Sequence, residues 1–167
     1  LSIRRQRQMC IRDRDKHVRL GDVVVSKGIF QYDYVKEKAE SFVFKGDNIP
    51  PCSKVVEAQQ RLEELLEITD EEGLPWNLHV KAALGVLKNN YIRPDCETDK
   101  LYDYNGKQVE HPVDNDRTNI YPRIFRGKIA SSNTVLKNPQ KRDLLKRDHD
   151  VYAIEMETSG IADATWE

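Results

Sequence analysis

The segment from Val151 to Ala164 constrains the fold of this chain more than any other. A short apolar run, Val151–Ile154, ends at two carboxylates, Glu155 and Glu157, which flank Met156, and a segment of small residues with helical character follows. Buried strands of open α/β sheets present polar groups in this way at their carboxyl ends, where such sheets bind ligands. Two carboxylates beside a methionine suit a sugar, because a carboxylate accepts from paired hydroxyls while the thioether covers the apolar ring face. On spacing alone, a strand end with solvated glutamates is an equally open alternative.

The rest of the chain alternates strand patterns with helix patterns. Val23–Ser26 contains a continuous β-branched run typical of a strand buried on both faces, and we expect Ile124–Ser131 and Val151–Met156 to join it in one sheet. Helices are predicted to begin at the N-cap residues Ser53 and Asn138. The sequence therefore predicts an α/β fold with a mixed, largely parallel central sheet flanked by helices.

Shorter elements are expected between these. Phe42–Phe44 is predicted to be a strand, Gln31–Lys36 to extend the first strand or form a second one, and Trp76–Leu87 to be a helix. The polar insertion 93–117 has a hairpin signal at Asn105-Gly106. Its aspartates and one histidine make a metal site conceivable, but their spacing fits no ligand pattern, so a solvated loop, a pocket wall and a subunit contact stay open.

Composition excludes several classes of function. The 167 residues carry a net charge of −1, which argues against a nucleic-acid binder. No apolar run reaches the length of a membrane span, so no membrane partner is expected. The cysteines, Cys10, Cys52 and Cys96, form no CxxC pair, which favours a reducing cytoplasm over a disulfide framework or a zinc site.

The two ends of the chain suggest a fragment. Residues 1–14 are basic and without period, and Met9–Arg14 back-translates to a transposon-type sequencing-library adaptor, so we interpret 1–14 as a non-native tail that packs on nothing. A basic arm for nucleic acid and a targeting tail are the competing interpretations. The other end stops within a helical pattern at Glu167. The native part is therefore expected to be a partial domain, 15–167.

Three segments together resemble one family. Ile154–Gly160 is similar to the E-M-E-(small)-(small)-G signature of the purine nucleoside phosphorylase and methylthioadenosine/S-adenosylhomocysteine nucleosidase superfamily. Arg19–Ser26 is similar to the LGDVVVS strand of that superfamily, and Gly127–Asn133 to its G-x-I-x-S-G-[DN] segment, in the same order. The resemblance implies the nucleoside phosphorylase-like three-layer fold, truncated at both ends.

The resemblance also assigns a substrate site. Met156 would pack on the ribose, Glu157 would accept from its 2′ and 3′ hydroxyls, and Glu155 would support the site. The base would lie against the segment that follows Gly127–Ser131, namely Ser132, Asn133, Thr134, Val135 and Leu136. Relatives often place an aromatic residue in this segment, so the identity of the base stays open, and ordinary core packing is the alternative role for Val135 and Leu136.

The implied activity is cleavage of the N-glycosidic bond of a purine nucleoside or a 5′-modified adenosine, by water or phosphate, in the full-length protein. The phosphate-binding loop would precede this chain and the catalytic acid would follow Glu167, so no catalytic residue is assigned and the chain alone is not expected to be active. No cofactor is implied, although phosphate is a possible co-substrate. The resemblance implies a homo-oligomer as well. The alternative is a non-catalytic nucleoside-binding or sensing module of a larger multidomain protein.

Overall fold

The computed structural model describes residues 15–33, 35–38, 41–46, 48–87, 96–103, 105–115, 117, 121–133, 136 and 138–156. The prediction for residues 1–14 lies outside these ranges. The helices are α1 Ser53–Ile68, α2 Pro75–Leu87 and α3 Pro139–His149, with 3-10 turns at Glu71–Gly73 and Cys96–Thr98. The strands are β1 Val23–Gln31, β2 Val35–Lys38, β3 Ser41–Phe44, β4 Asn48–Ile49, β5 Leu101–Tyr102, β6 Gln108–Val109, β7 Ile124–Ser131 and β8 Val151–Glu155.

The central sheet has the strand order β4-β1-β7-β8. Strand β7 runs parallel to both β1 and β8, whereas the short strand β4 pairs antiparallel with β1. Val23–Ser26, Ile124–Ser131 and most of Val151–Met156 lie in this sheet as predicted, with β8 ending at Glu155. The predicted α/β fold, a mixed and mostly parallel sheet flanked by helices, is confirmed, and the arrangement is consistent with a three-layer α/β fold.

Two hairpins lie outside the central sheet. Strands β2 and β3 pair antiparallel, which confirms a strand at Phe42–Phe44 and makes the residues after Gln31 a second strand rather than an extension of β1. Strands β5 and β6 pair across Asn105-Gly106, and Gly106 has the positive φ of 77° that the turn requires. The predicted hairpin in the insertion is therefore confirmed.

The start of α1 differs from the prediction that Ser53 is its N-cap. Cys52 occupies the N-cap position, and its backbone carbonyl accepts from the amides of Val55 and Val56 at 3.0 and 3.1 Å. The extended backbone of Cys52, with φ −64° and ψ 159°, already positions that carbonyl, so the helix begins without a side-chain cap. At α3 the predicted cap is confirmed, because the Asn138 side chain accepts from the amides of Gln140 and Lys141.

Helix α1 contacts the sheet through a polar side chain. Gln59 is only 2% exposed, donates from Nε2 to the carbonyl of Ser26 at 2.5 Å, and accepts at Oε1 from Arg126 Nε at 3.0 Å. The pairing of β1 with β7 shifts its register between Ser26 and Ile29, so Gln59 is bonded to an irregular part of the ladder. In contrast, Ile68 at the end of α1 is 81% exposed.

The buried core lies between α3 and the carboxyl-terminal halves of the strands. Leu145 of α3 and Ala130 of β7 are both fully buried. They belong to a cluster that also contains Phe30, Tyr32, Val151 and Ile154, with Phe44 and Leu136 packed against it. This packing fixes the ends of β1, β7 and β8 relative to one another.

His149, the last residue of α3, is stacked against this core. Its ring lies 4.1 Å from the ring of Phe30 and makes an edge contact with Phe44 at 6.0 Å. Burial lowers the pKa of His149 below its usual 6.5; Asp148 opposes this shift and Lys128 adds to it. Burial therefore favours the neutral form of this imidazole in the folded protein.

We expect the free energy of unfolding to decrease as the pH falls below about 6.5, because the unfolded chain then binds a proton that folded His149 resists. Above that pH the contribution of this group is constant. Urea unfolding between about pH 8 and about pH 5 measures the slope. His149→Phe, which keeps the ring contact, should flatten it, whereas His17→Gln at an exposed position should not. An unchanged slope in His149→Phe would contradict this origin.

Candidate functional site

Three neighbouring parallel strands end in line at one edge of the sheet. Gln31 pairs with Ser131 and Ser131 pairs with Glu155, so β1, β7 and β8 all end at the same position along the sheet. Polar residues lie two positions beyond two of these ends, with Asp33 after β1 and Asn133 after β7. Open parallel sheets bind ligands outside this edge, which makes it the candidate site.

The carboxylate of Asp33 organises the loop that follows β7. It accepts from the Ser132 hydroxyl at 2.8 Å, from the Asn133 amide N–H at 2.9 Å and from the Gln31 side-chain amide at 3.1 Å. Burial alone would raise the pKa of Asp33, but these three hydrogen bonds hold it below its ordinary value. The site therefore presents an ionised carboxylate whose donors come from two different strand ends.

The predicted site residues fall into three groups. Asn133, Glu155 and Met156 lie at this edge; Asn133 is exposed and the other two are partly exposed. Leu136 packs against the core cluster, which agrees with the ordinary core role left open for it. Thr134, Val135 and Glu157 lie outside the described residues. The assignment of these side chains to a nucleoside site stays a prediction.

Asp33 is a residue that the sequence motifs did not identify. It lies two positions beyond the end of β1, outside every segment that carries the resemblance. The signal available in the sequence is positional: an acid shortly after a buried strand lies at the same sheet edge as the polar residues that follow the other parallel strands.

A buried ion pair lies at the other end of the strands, where β1 and β7 begin. Arg117 donates to both carboxylate oxygens of Asp22 at 2.6 and 2.7 Å, and the two side chains are 2% and 0% exposed. Asp22 also accepts from the amides of Arg19 and Arg123 at 2.8 and 3.0 Å. Because Asp22 precedes β1 and Arg123 precedes β7, this network fixes the amino ends of the two strands.

The described part of the insertion 93–117 packs at this amino edge. His111 bonds through Nδ1 to the carbonyl of Lys16 at 2.7 Å and through Nε2 to the carbonyl of Asp99 at 3.1 Å. The amide of Leu20 donates to the Asp99 side chain at 3.4 Å. These contacts hold the insertion against residues 16–22, so its described part does not line the carboxyl edge. Within the described ranges, no group of three or more His, Cys, Asp or Glu is placed to hold a metal ion.

The geometry of the carboxyl edge suits recognition of a neutral polar ligand. An ionised carboxylate, an exposed amide side chain and a thioether are available there, and they can accept hydrogen bonds, donate them and cover an apolar ring face. In the part of the chain that the structure describes, no helix is both long and apolar enough to cross a bilayer.

The fold is a mostly parallel α/β domain with a candidate ligand site at the carboxyl ends of its strands. Comparison with known proteins adds one distant relationship: the chain is 28% identical over 167 residues to a nucleotide-binding leucine-rich repeat (NLR)-like protein from Hyaloscypha variabilis (strain UAMH 11265 / GT02V1 / F). The match covers 88% of this chain and spans 16% of the length of that relative. No family model matches the chain, and no solved structure matches it.

This relationship corrects the predicted activity. The relative is an NLR-like protein, and no comparison supports the nucleoside phosphorylase and nucleosidase superfamily that the three motifs resemble. The prediction that the full-length protein cleaves the N-glycosidic bond of a purine nucleoside is therefore wrong. The alternative, a binding module within a larger multidomain protein, agrees better with a match to a small part of a long relative.

Proposed function

We propose that this chain is a non-catalytic nucleoside-binding or nucleoside-sensing module of a larger multidomain protein. The observation that carries the proposal is that β1, β7 and β8 end at the same point in the sheet. Asp33, Asn133 and Glu155 therefore lie together at the carboxyl ends of the strands. Ligands of open α/β sheets bind at such edges. The match to a segment of an NLR-like protein supports the multidomain setting.

The chemistry of the edge favours a nucleoside. Ribose hydroxyls are donors, and the acidic side chains Glu155 and Glu157 are placed by the sequence on either side of Met156, which suits the apolar ring face. Asp33 holds the Ser132–Asn133 backbone in position, so the adjacent loop is preorganised rather than free. The 167 residues contain no G-x-x-x-x-G-K-[ST] segment, and the proposal places the ligand at the strand ends instead.

Titration calorimetry with adenosine, inosine and 5′-methylthioadenosine tests the proposal. At least one nucleoside is expected to bind, and chromatography of the recovered ligand is expected to show it intact. Ribose 5-phosphate and free adenine serve as controls for the sugar and the base alone. Absence of heat and of any chemical-shift change with all three nucleosides at millimolar concentration would overturn the nucleoside assignment.

Asp33→Asn should weaken nucleoside binding by about tenfold, because a neutral amide accepts less strongly from Ser132 and Asn133 and the loop after β7 loses its fixed position. The free energy of unfolding should fall by about 1–2 kcal/mol. Asp148→Asn is the matched control, since Asp148 pairs with exposed Arg147 and makes none of the hydrogen bonds of Asp33. Equal affinity in Asp33→Asn and the unsubstituted chain would remove Asp33 from the site.

A further inference from the structure

A cavity of about 390 Å³ opens at the amino end of β7, on the opposite sheet edge from the candidate nucleoside site. Its walls are mainly apolar and include Leu66 from the end of α1, Leu74 and Trp76 from the start of α2, and Ile124 and Phe125 from β7. The volume lies within the range of about 300–1,000 Å³ that is typical of small-molecule sites. Apolar walls that include an indole favour a planar ring system.

Two charged side chains also line the cavity, and they define its polar side. Arg123 Nε lies 3.7 Å from Glu71 Oε1, which is beyond hydrogen-bond distance, and the side chains are 28% and 19% exposed. Arg123 NH1 donates to Asp114 at 2.6 Å, which fixes the guanidinium. Arg123 therefore offers an N–H donor beside the carboxylate acceptor of Glu71, and a carboxylate accepts several hydrogen bonds at once.

We propose that this cavity is a second small-molecule site, for a neutral planar bicyclic compound with a lactam edge. The adjacent C=O and N–H of a lactam match the neighbouring donor of Arg123 and acceptor of Glu71, while the rings fill the apolar space between Trp76 and Ile124.

Charge selects against an anionic ligand. Arg123 already donates to Asp114 and lies beside Glu71, so a carboxylate ligand placed at Arg123 comes close to two carboxylates. A neutral lactam meets no such repulsion. The site is independent of the proposed nucleoside module, because its residues belong to the amino ends of the strands and to the helix connection.

Matched probes test the inference on the full chain. 2-Quinolone carries the lactam edge, N-methyl-2-quinolone lacks its donor, naphthalene lacks both polar groups, and quinoline-2-carboxylate carries a negative charge. In a Trp166→Phe variant, the ¹⁵N-labelled indole of Trp76 gives a single Nε1–H resonance that reports occupancy. We expect 2-quinolone to shift this resonance and to bind about tenfold more tightly than naphthalene. The other two probes should rank below 2-quinolone.

Two variants locate the binding. Leu66→Tyr at the partly exposed wall should fill the cavity and abolish the 2-quinolone shift, whereas Leu78→Tyr, on an exposed position of α2 that does not line the cavity, should leave it unchanged. Glu71→Gln should improve quinoline-2-carboxylate binding relative to 2-quinolone by about threefold or more. Absence of a 2-quinolone shift, equal affinity for naphthalene, or an undiminished shift in Leu66→Tyr would each overturn the proposal.

Discussion

Arg117→Ala is expected to lower the free energy of unfolding by about 3–5 kcal/mol. The substitution removes the partner of Asp22, whose carboxylate is fully buried and accepts from Arg117 at 2.6 and 2.7 Å. The backbone amides of Arg19 and Arg123 also donate to Asp22, but they do not replace the positive charge of Arg117. Since Asp22 precedes β1 and Arg123 precedes β7, the loss also loosens the amino ends of both strands.

Urea unfolding monitored by circular dichroism measures this effect. Arg147→Ala is the matched control, because Arg147 forms an exposed pair with Asp148 and its loss should leave stability nearly unchanged. Adding Asp22→Asn to Arg117→Ala should recover part of the loss, because the buried negative charge that has lost its contact with Arg117 is removed. A change in Arg117→Ala no larger than in Arg147→Ala would show that the buried pair does not stabilise the fold.

The sheet was predictable because its signal is local. The β-branched run at Val23–Val25 and the apolar run before Glu155 each favour a strand, and both lie in the parallel part of the sheet. The expected burial on both faces is not found for the first run, because Val23 is 47% exposed. The rule that parallel strands end at one edge then brings Asn133 and Glu155 to the same side without knowledge of the loops.

The contacts that fix the elements relative to one another were not predictable in the same way. Asp22 and Arg117 are 95 positions apart, and nothing in the pattern of a charged insertion indicates which acid its arginine meets. Helix α1 was predicted from its apolar spacing, yet Gln59 is its buried residue and Val55 is 41% exposed. Apolar periodicity predicts that the segment is helical. The face of the helix that becomes buried depends on the strand against which the helix packs, and here that strand is irregular.

At the candidate site, too, some residues were predictable from the sequence and others were not. Asn133 and Met156 follow strands whose ends were recognised, so their edge was predictable. Asp33 was not identified, because its importance comes from donors on the loop after β7, about a hundred residues later. The activity was mispredicted for a different reason: three short motifs at strand ends are compatible with many functions, and a fold does not by itself determine a reaction.

Gly46→Ala is expected to destabilise the protein by about 3 kcal/mol, through overpacking at the end of β1. A Cβ at this position would overlap the backbone carbonyl oxygen of Gln31 and lie 2.7 Å from its carbonyl carbon and 3.1 Å from the ring of Phe30. A backbone carbonyl cannot rotate away as a long side chain can, so the segment after β3 must separate from β1.

The same displacement should reach the candidate site. Gln31 donates to Asp33, which holds the Ser132–Asn133 loop, so Gly46→Ala should weaken nucleoside binding as well as stability. Gly85→Ala is the matched control: a Cβ there meets nothing within 4 Å, and within α2 it should stabilise the protein by about 0.5–1 kcal/mol. Urea unfolding of both variants, with calorimetry on those that fold, makes the comparison. If Gly46→Ala were as stable as Gly85→Ala, the close approach of the β3–β4 connection to Gln31 would not exist in solution, and the position of Asp33 would have to depend on other contacts.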